Sequence, residues 1–222
     1  MRNQKIVDDS FQAFLVKDAR FTDIEEYSII PGNFVAKVLP KKIIHFSKAI
    51  TYRGDLSDTF ICFFSPDSTF ERVRRHPKRY LNFFRRTAGI IGFDFSIHSD
   101  MPIIKQKAQM NDNLSLTYYY GNNGIPVIPN LRCGIDELCH EFFTAIPKNT
   151  IVAVGTHGFI KTKQEKYEWY DFLEMVIAEL EPSSIVVYGT LNGEMFCNLK
   201  DQANIVCYDA WNDLRRKGVD HV

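Results

Sequence analysis

GIIGFDFSIHSDMP (residues 89–102) changes character at its midpoint, and this change predicts the architecture around it. The first half is apolar, with Ile90, Ile91 and Phe93, and suits a buried strand. The second half is polar and begins at Asp94. A parallel strand that ends in a polar cluster is how open α/β sheets and α/β barrels present a site. The stretch therefore predicts a buried parallel strand with a functional site at its carboxyl end.

The alternation of apolar strands with helical segments recurs along the chain and predicts repeated βα units. Strands are expected near residues 60–64, 90–95, 125–128, 150–155, 184–188 and 204–208, with a further strand near Ile43. This spacing is typical of an α/β fold with a mostly parallel sheet. We favour a barrel-like or incomplete (β/α) barrel, although 222 residues is slightly short of the about 250 that a full eight-unit barrel usually needs. An open doubly wound sheet is the second choice.

The chain is predicted to form one α/β domain over residues 1–222, with an irregular lead-in (1–57) and βα repeats (58–222). Capping-box spacing predicts helix starts at two pairs of residues, Ser68 with Glu71 and Thr162 with Glu165. A short helix is expected in IIKQKAQMNDN (103–113). Two further helices are expected over 135–144 and 210–217.

Composition excludes several classes of protein. The formal net charge is zero, so any affinity for nucleic acid must come from a local patch. Five scattered cysteines without a CxxC pair favour reduced thiols over a disulfide framework or a zinc site. No apolar run resembles a secretory signal or a membrane span. These features predict a cytoplasmic protein with no membrane partner, and they indicate neither a cofactor nor an oligomeric state.

Five segments together resemble a known family: PKRYLNFFRR, GFDFSIHSDMP, GIPVIPN, AVGTHG and VVYG. The family is a bacterial and phage-borne one catalogued as domain of unknown function 4417, and the resemblance covers roughly residues 58–190. Its most specific part is Asp94-Phe95-Ser96 followed by Asp100-Met101-Pro102, although Phe93 stands where the family commonly has proline. The resemblance implies a protein of bacteria or their mobile elements, and it assigns no catalytic residue.

Polar residues that follow the predicted strands should meet at one edge of the sheet. Asp94 is a candidate general base or metal ligand, and His157 a candidate general acid. Arg132 could hold a phosphate bidentately. The other candidate ligand-binding residues at this edge are Ser96, Asn130, Thr156, Tyr188 and Thr190. The alternative for each residue is a structural role, as a helix cap or in a turn. No motif with metal-ligand spacing is present.

A basic segment follows the first apolar strand of the repeats. Its candidate nucleic-acid contacts are Arg74, Arg75, Arg79 and Arg86, and they alternate with aromatic residues that could stack on bases. The same aromatic residues have core spacing, with Phe84 as an example. The alternative is therefore a solvated arginine-rich helix face.

These patterns leave more than one functional class open. The first hypothesis is a phosphate-directed protein that binds a nucleotide or nucleic acid at the strand ends, with hydrolytic chemistry at Asp94. The second is a non-enzymatic protein-interaction module from a phage or mobile element. A small-molecule barrel enzyme is the third. Charged side chains that converge in one concave pocket would favour an enzyme, whereas a flat apolar surface would favour a protein partner.

Overall fold

The computed structural model describes most of the chain, and the account below concerns these residues. They are residues 12–98, 100–134, 136–156, 162–189, 191 and 197–210. Seven strands lie within them: β1 (Lys42–His45), β2 (Thr59–Cys62), β3 (Gly89–Ile91), β4 (Val127–Ile128), β5 (Ile151–Gly155), β6 (Ser184–Tyr188) and β7 (Ile205–Tyr208). Each strand expected from the sequence is present, and β1 is the further strand near Ile43.

All the strand pairs are parallel, which confirms the predicted α/β class. One sheet has the order β1-β2-β3-β4 and the other the order β5-β6-β7. A parallel bridge between Asn130 and Ala153 joins the two sheets just beyond the end of β4. Neighbouring strands therefore follow the chain order, without the reversal of order that a doubly wound sheet contains. Among the described strands β7 does not pair with β1, so the barrel is not closed.

The two sheets curve toward each other. In a flat sheet β2 and β6 would lie four strand spacings apart, roughly 19 Å. Phe64, two residues after β2, nevertheless stacks on Tyr188 of β6 with ring centroids 4.9 Å apart. The Tyr188 hydroxyl also lies 2.6 Å from Nε2 of His45 at the end of β1. These contacts require a curled, barrel-like sheet that stays open.

Seven α-helices connect or cover the strands in the described part of the chain. They are α1 (Phe46–Ala49), α2 (Glu71–Arg75), α3 (Leu81–Phe84), α4 (Ile103–Asn122), α5 (Asp136–Thr144), α6 (Lys163–Leu180) and α7 (Cys197–Gln202). Short 3-10 turns lie at Ala13–Val16, Asp67–Thr69 and Pro77–Tyr80. The expected helix over 210–217 lies outside the described residues except for its first residue, Ala210.

Local signals predicted the start of α6 correctly but missed two other helix features. Thr162 and Glu165 form the expected reciprocal capping box at the start of α6. Ser68 forms no such box, because a 3-10 turn precedes α2 and Phe70 takes the capping position without a side-chain bond. Helix α4 runs for 20 residues instead of ending near residue 113, because its carboxyl half is buried along the sheet.

A cluster of aromatic rings fills the core below β2 and β3. Phe93 is fully buried and stacks on Phe63 with centroids 4.0 Å apart. The rings of Phe70, Phe95 and Tyr120 also lie within about 6 Å of Phe93. Every residue of β2, β3, β4 and β6 is buried, so both faces of the sheet are covered as the apolar runs predicted. This packing fixes the point at which the chain leaves β3, where Asp94 follows.

The lead-in packs against the middle of the sheet. Val35 forms a parallel bridge with Val127, and the backbone N–H of Ile30 donates to the carbonyl oxygen of Ala145.

None of the helices in the described part of the chain combines the length and the apolar character that crossing a lipid bilayer requires. The division into one domain with its lead-in remains a prediction.

Candidate functional site

Two adjoining cavities lie at the carboxyl ends of the central strands. The larger has a volume of about 580 Å³ and the smaller about 200 Å³. Three residues line both: Asp94 after β3, Arg132 after β4, and Gly155 at the end of β5. The combined size suits a small-molecule ligand. The carboxyl edge of the sheet is therefore concave, as the strand-end argument requires.

Asp94 lies at the floor of both cavities in a largely desolvated position. The side-chain amide of Asn130 donates to Oδ1 of Asp94 (3.1 Å) and to the carbonyl oxygen of Phe93 (3.0 Å). Burial raises the pKa of Asp94, and the nearby charge of Asp67 adds to the increase. The positive charge of Arg132 and the hydrogen bond from Asn130 oppose it. A carboxyl group whose pKa is raised by its surroundings is suited to proton transfer.

Arg132 is held in a defined orientation beside Asp94. Its Nη2 donates to the carbonyl oxygen of Ile97 at 2.8 Å. Burial lowers the pKa of Arg132, while the charges of Asp94 and Asp67 act against that change. An arginine side chain nevertheless keeps its proton in proteins. The floor of the site therefore combines a fixed cation with a carboxyl group that can change its protonation state.

Asp67 fixes the segment that carries these groups. Its carboxylate accepts hydrogen bonds from the backbone N–H of Ser96 (3.2 Å to each oxygen) and from the Ser96 hydroxyl (2.9 Å). Asp67 begins the 3-10 turn after β2, and Ser96 follows β3, so the contact ties two strand ends together. Ser96 and His98 both line the smaller cavity. The predicted residues Asp94, Ser96, Asn130 and Arg132 are thus brought together at one edge.

The wall of the larger cavity is formed by one face of α6. Glu165, Glu168, Trp169 and Phe172 all line it, and their spacing places them on one side of the helix. Glu137 of α5 also lines this cavity. These residues were absent from the predicted site, although their spacing of three, four and seven residues was visible in the sequence. That spacing identifies a helix face but does not show what the face covers.

Cys133 and Cys139 form a disulfide bond beside the same cavity. The expectation of reduced thiols is therefore wrong for this pair. Their two Cα atoms lie 5.2 Å apart, which is within the range for disulfides. Sequence spacing alone does not show this approach. Cys62 is a buried free thiol, and Cys197 and Cys207 are exposed ones.

Two predicted ligand-binding residues have internal contacts. The hydroxyl and the backbone N–H of Thr156 both donate to the carbonyl oxygen of Tyr188 (3.4 and 3.0 Å). Tyr188 is only 2% exposed, and Phe64 stacks on its ring. His157 and Thr190 lie outside the described residues. The binding roles of Thr156, Tyr188 and Thr190 and the catalytic role of His157 remain predictions.

The arginines of the basic segment differ in their ion pairs and in their exposure. Arg74 forms ion pairs with Asp112 and Glu71, and Arg75 pairs with Glu71 at 3.0 Å. Arg79 and Arg86 are exposed, and so is Arg75 despite its ion pair. The interleaved aromatic residues Tyr80 and Phe84 are buried in the core and present no stacking surface. Nucleic-acid binding by this segment remains a prediction, and it depends on the exposed arginines.

The described residues contain no group of three or more histidine, cysteine, aspartate or glutamate side chains placed to hold a metal ion. Among the described residues that line the larger cavity, the polar and aromatic groups are one guanidinium, several carboxyl groups, the Asn130 amide and two aromatic rings. The described lining residues therefore form a polar site.

Comparison with known proteins places the chain among phage relatives. A family model described as domain of unknown function (DUF4417) matches residues 22–209, which extends beyond the predicted resemblance at both ends. The Gene 1 protein of Mycobacterium phage L5 is 25% identical over 217 residues, covering 98% of this chain and 88% of that protein. The Gene 1 protein of Mycobacterium phage D29 is 24% identical, covering 98% and 74%. No solved structure matches the chain significantly.

Proposed function

The chain belongs to the family of domain of unknown function 4417, and from its site geometry we propose that it binds a small phosphorylated ligand at the strand ends. A nucleotide is the ligand class that the sequence analysis favours. In this proposal Arg132 binds the phosphate and Asp94 transfers protons. The observation that carries it is that Asp94 and Arg132 line both cavities at the carboxyl edge of the sheet.

Arg132 suits a phosphate for geometric reasons. A guanidinium presents parallel N–H donors that match two phosphate oxygens, and it is less strongly hydrated than an ammonium group. The hydrogen bond to the Ile97 carbonyl fixes the plane of the group before a ligand arrives. A preoriented donor loses less conformational entropy on binding.

Asp94 supports hydrolytic chemistry at the bound phosphate. Because burial raises its pKa, the protonated form persists closer to neutral pH than for an exposed aspartate. In its ionised form Asp94 would take a proton from an attacking water molecule. In its protonated form it would give a proton to the leaving oxygen. The phosphate and the carboxyl group would then be neighbours in one cavity.

The concave shape favours this proposal over the alternative of a protein-interaction module. Charged side chains converge in an open, concave cavity of a size typical of ligand sites. A scaffold for another protein would be expected to offer a broad apolar surface instead.

The test is a thermal-shift screen of nucleotides and other phosphorylated compounds, followed by calorimetry on each compound that raises Tm. We expect Arg132→Gln to weaken binding at least tenfold. The matched control is Arg85→Gln, because Arg85 is exposed and its Nη1 donates to Asn82 (3.3 Å) outside both cavities. Equal affinity of the Arg132→Gln variant and the wild type would refute the role of Arg132. For a compound that is turned over, Asp94→Asn should keep binding and lose phosphate release.

A further inference from the structure

The larger cavity has an uneven distribution of charge. Among its described lining residues Arg132 is the one cation, whereas four carboxyl groups belong to Asp94, Glu137, Glu165 and Glu168. Asp94 and Arg132 lie at the floor where the two cavities adjoin. The three glutamates come from α5 and α6, which form the wall. The cavity therefore offers an anion-binding end and an acidic wall.

An acidic wall disfavours a ligand whose only charges are on its phosphate. A phosphate carries close to two negative charges at neutral pH, and carboxylates near it would repel it in a partly desolvated cavity. The single guanidinium of Arg132 compensates for part of this charge. A positive group elsewhere on the ligand would turn the repulsion from the wall into attraction. The distribution of charge thus restricts the ligand more narrowly than the phosphate site alone.

The wall also contains an aromatic surface. Trp169 lies one residue after Glu168 in α6, is half-buried, and lines the same cavity. Its ring meets that of Phe172 edge to face, with centroids 5.6 Å apart. Tryptophan next to carboxylates is a favourable environment for an organic ammonium or guanidinium group. The described residues contain no group of three or more acidic, histidine or cysteine side chains placed to hold a metal ion, so this wall fits an organic cation better than a metal ion.

Glu165 has a structural task that the other two glutamates do not share. Its Oε2 accepts a hydrogen bond from the backbone N–H of Thr162 at 2.7 Å, which caps α6. Glu168 accepts a bond from Gln164 within the helix (3.1 Å) and is exposed at the cavity mouth. Glu137 is exposed as well. Glu137 and Glu168 are therefore the carboxylates placed to meet a ligand.

We propose that the larger cavity binds a phosphate ester that also carries an amino or guanidino group. The phosphate contacts Arg132, and the cationic group lies against Glu137, Glu168 and Trp169. The inference rests on the proposed function, which supplies the phosphate end of the ligand. It adds a cationic group at the other end of the ligand.

The test compares matched probes by isothermal titration calorimetry on the full chain. O-phosphoethanolamine has both groups, ethyl phosphate has only the phosphate, and ethanolamine has only the amine. AMP represents an ordinary nucleotide. We expect O-phosphoethanolamine to bind about tenfold more tightly than ethyl phosphate, which corresponds to one partly desolvated cation–aromatic contact plus weak ion pairs. A fluorescence change on binding should disappear in Trp169→Phe, while Trp211 supplies the remaining signal.

The double variant Glu137→Gln/Glu168→Gln tests the wall and keeps its shape. It should remove the preference for O-phosphoethanolamine and leave ethyl phosphate bound at least as tightly as before. Equal binding of these two probes to the wild type, or tighter binding of AMP than of O-phosphoethanolamine, would overturn the inference and leave the proposed function intact. An unchanged preference in the double variant would also overturn it. Failure of every phosphate ester to bind would end both proposals.

Discussion

Replacing Asp94 by asparagine should stabilise the protein at neutral pH. The side-chain oxygen of asparagine can accept the same hydrogen bond from Asn130 (3.1 Å in the wild type), so the local geometry is retained while the charge is removed. Burial raises the pKa of Asp94 in the folded protein, which means that ionisation at pH 7 costs the folded state free energy. The variant avoids this cost.

The magnitude follows from the linkage between pKa and stability. At a pH above both pKa values, each unit by which the pKa of Asp94 in the folded protein exceeds that in the unfolded chain lowers the free energy of unfolding by about 1.4 kcal/mol. A change of 1 kcal/mol shifts Tm by about 2–4 °C in a protein of this size. We therefore expect the Asp94→Asn variant to melt a few degrees above the wild type at pH 7. In the variant the carboxylate of Asp67 still acts on Arg132, so the buried guanidinium keeps one nearby negative charge.

The dependence on pH distinguishes this explanation from a general packing effect. A group with a raised folded pKa contributes stability at low pH that is lost as the pH rises from its unfolded pKa, about 3.9, through its folded pKa. The Tm difference between the variant and the wild type should therefore be largest at neutral pH and shrink toward pH 4. Differential scanning calorimetry from pH 4 to pH 8 measures both curves.

Asp55 provides a control because its pKa is lowered in the folded protein, whereas the pKa of Asp94 is raised. Hydrogen bonds from the side chain and backbone of Ser57 lower the pKa of this exposed carboxyl group. Asp55→Asn should therefore be no more stable than the wild type at pH 7, and any loss should vanish as the pH falls through the folded pKa of Asp55. An Asp94→Asn variant that is less stable at pH 7, or whose Tm difference does not change with pH, would refute the reasoning. Asp94 would then be a stably ionised partner of Arg132.

Two further predictions concern the basic segment and the core. Reversing the charge of Arg79 and Arg86 should abolish any salt-sensitive binding of DNA or RNA with a Tm change of no more than a few degrees, because both side chains are exposed. Binding that does not weaken with salt in a filter-binding assay would contradict this role. Phe93→Ala should lower the free energy of unfolding by about 3–5 kcal/mol, since it empties a fully buried site among four aromatic rings. Urea unfolding measures this loss, and a loss below about 1 kcal/mol would show that the cluster repacks.

Local pattern in the sequence was sufficient for the strands and for part of the site. Apolar runs such as SIVV (184–187) are properties of adjacent residues, so they predicted strand positions to within a few residues. The parallel sheet followed from the helices between the strands. Asp94 and Arg132 were predicted as neighbours because both follow strands, and strand ends share one edge.

Tertiary structure alone decided which distant segments meet. The curl of the sheets brings Phe64 onto Tyr188, and no local pattern specifies that contact between residues 124 positions apart. In the same way, Asp112 neutralises Arg74 in the basic segment. Glu168 became part of the site only because α6 packs beside the strand ends. Hydrophobic periodicity shows which side of an element is buried, whereas the partner of that side depends on the packing of the whole chain.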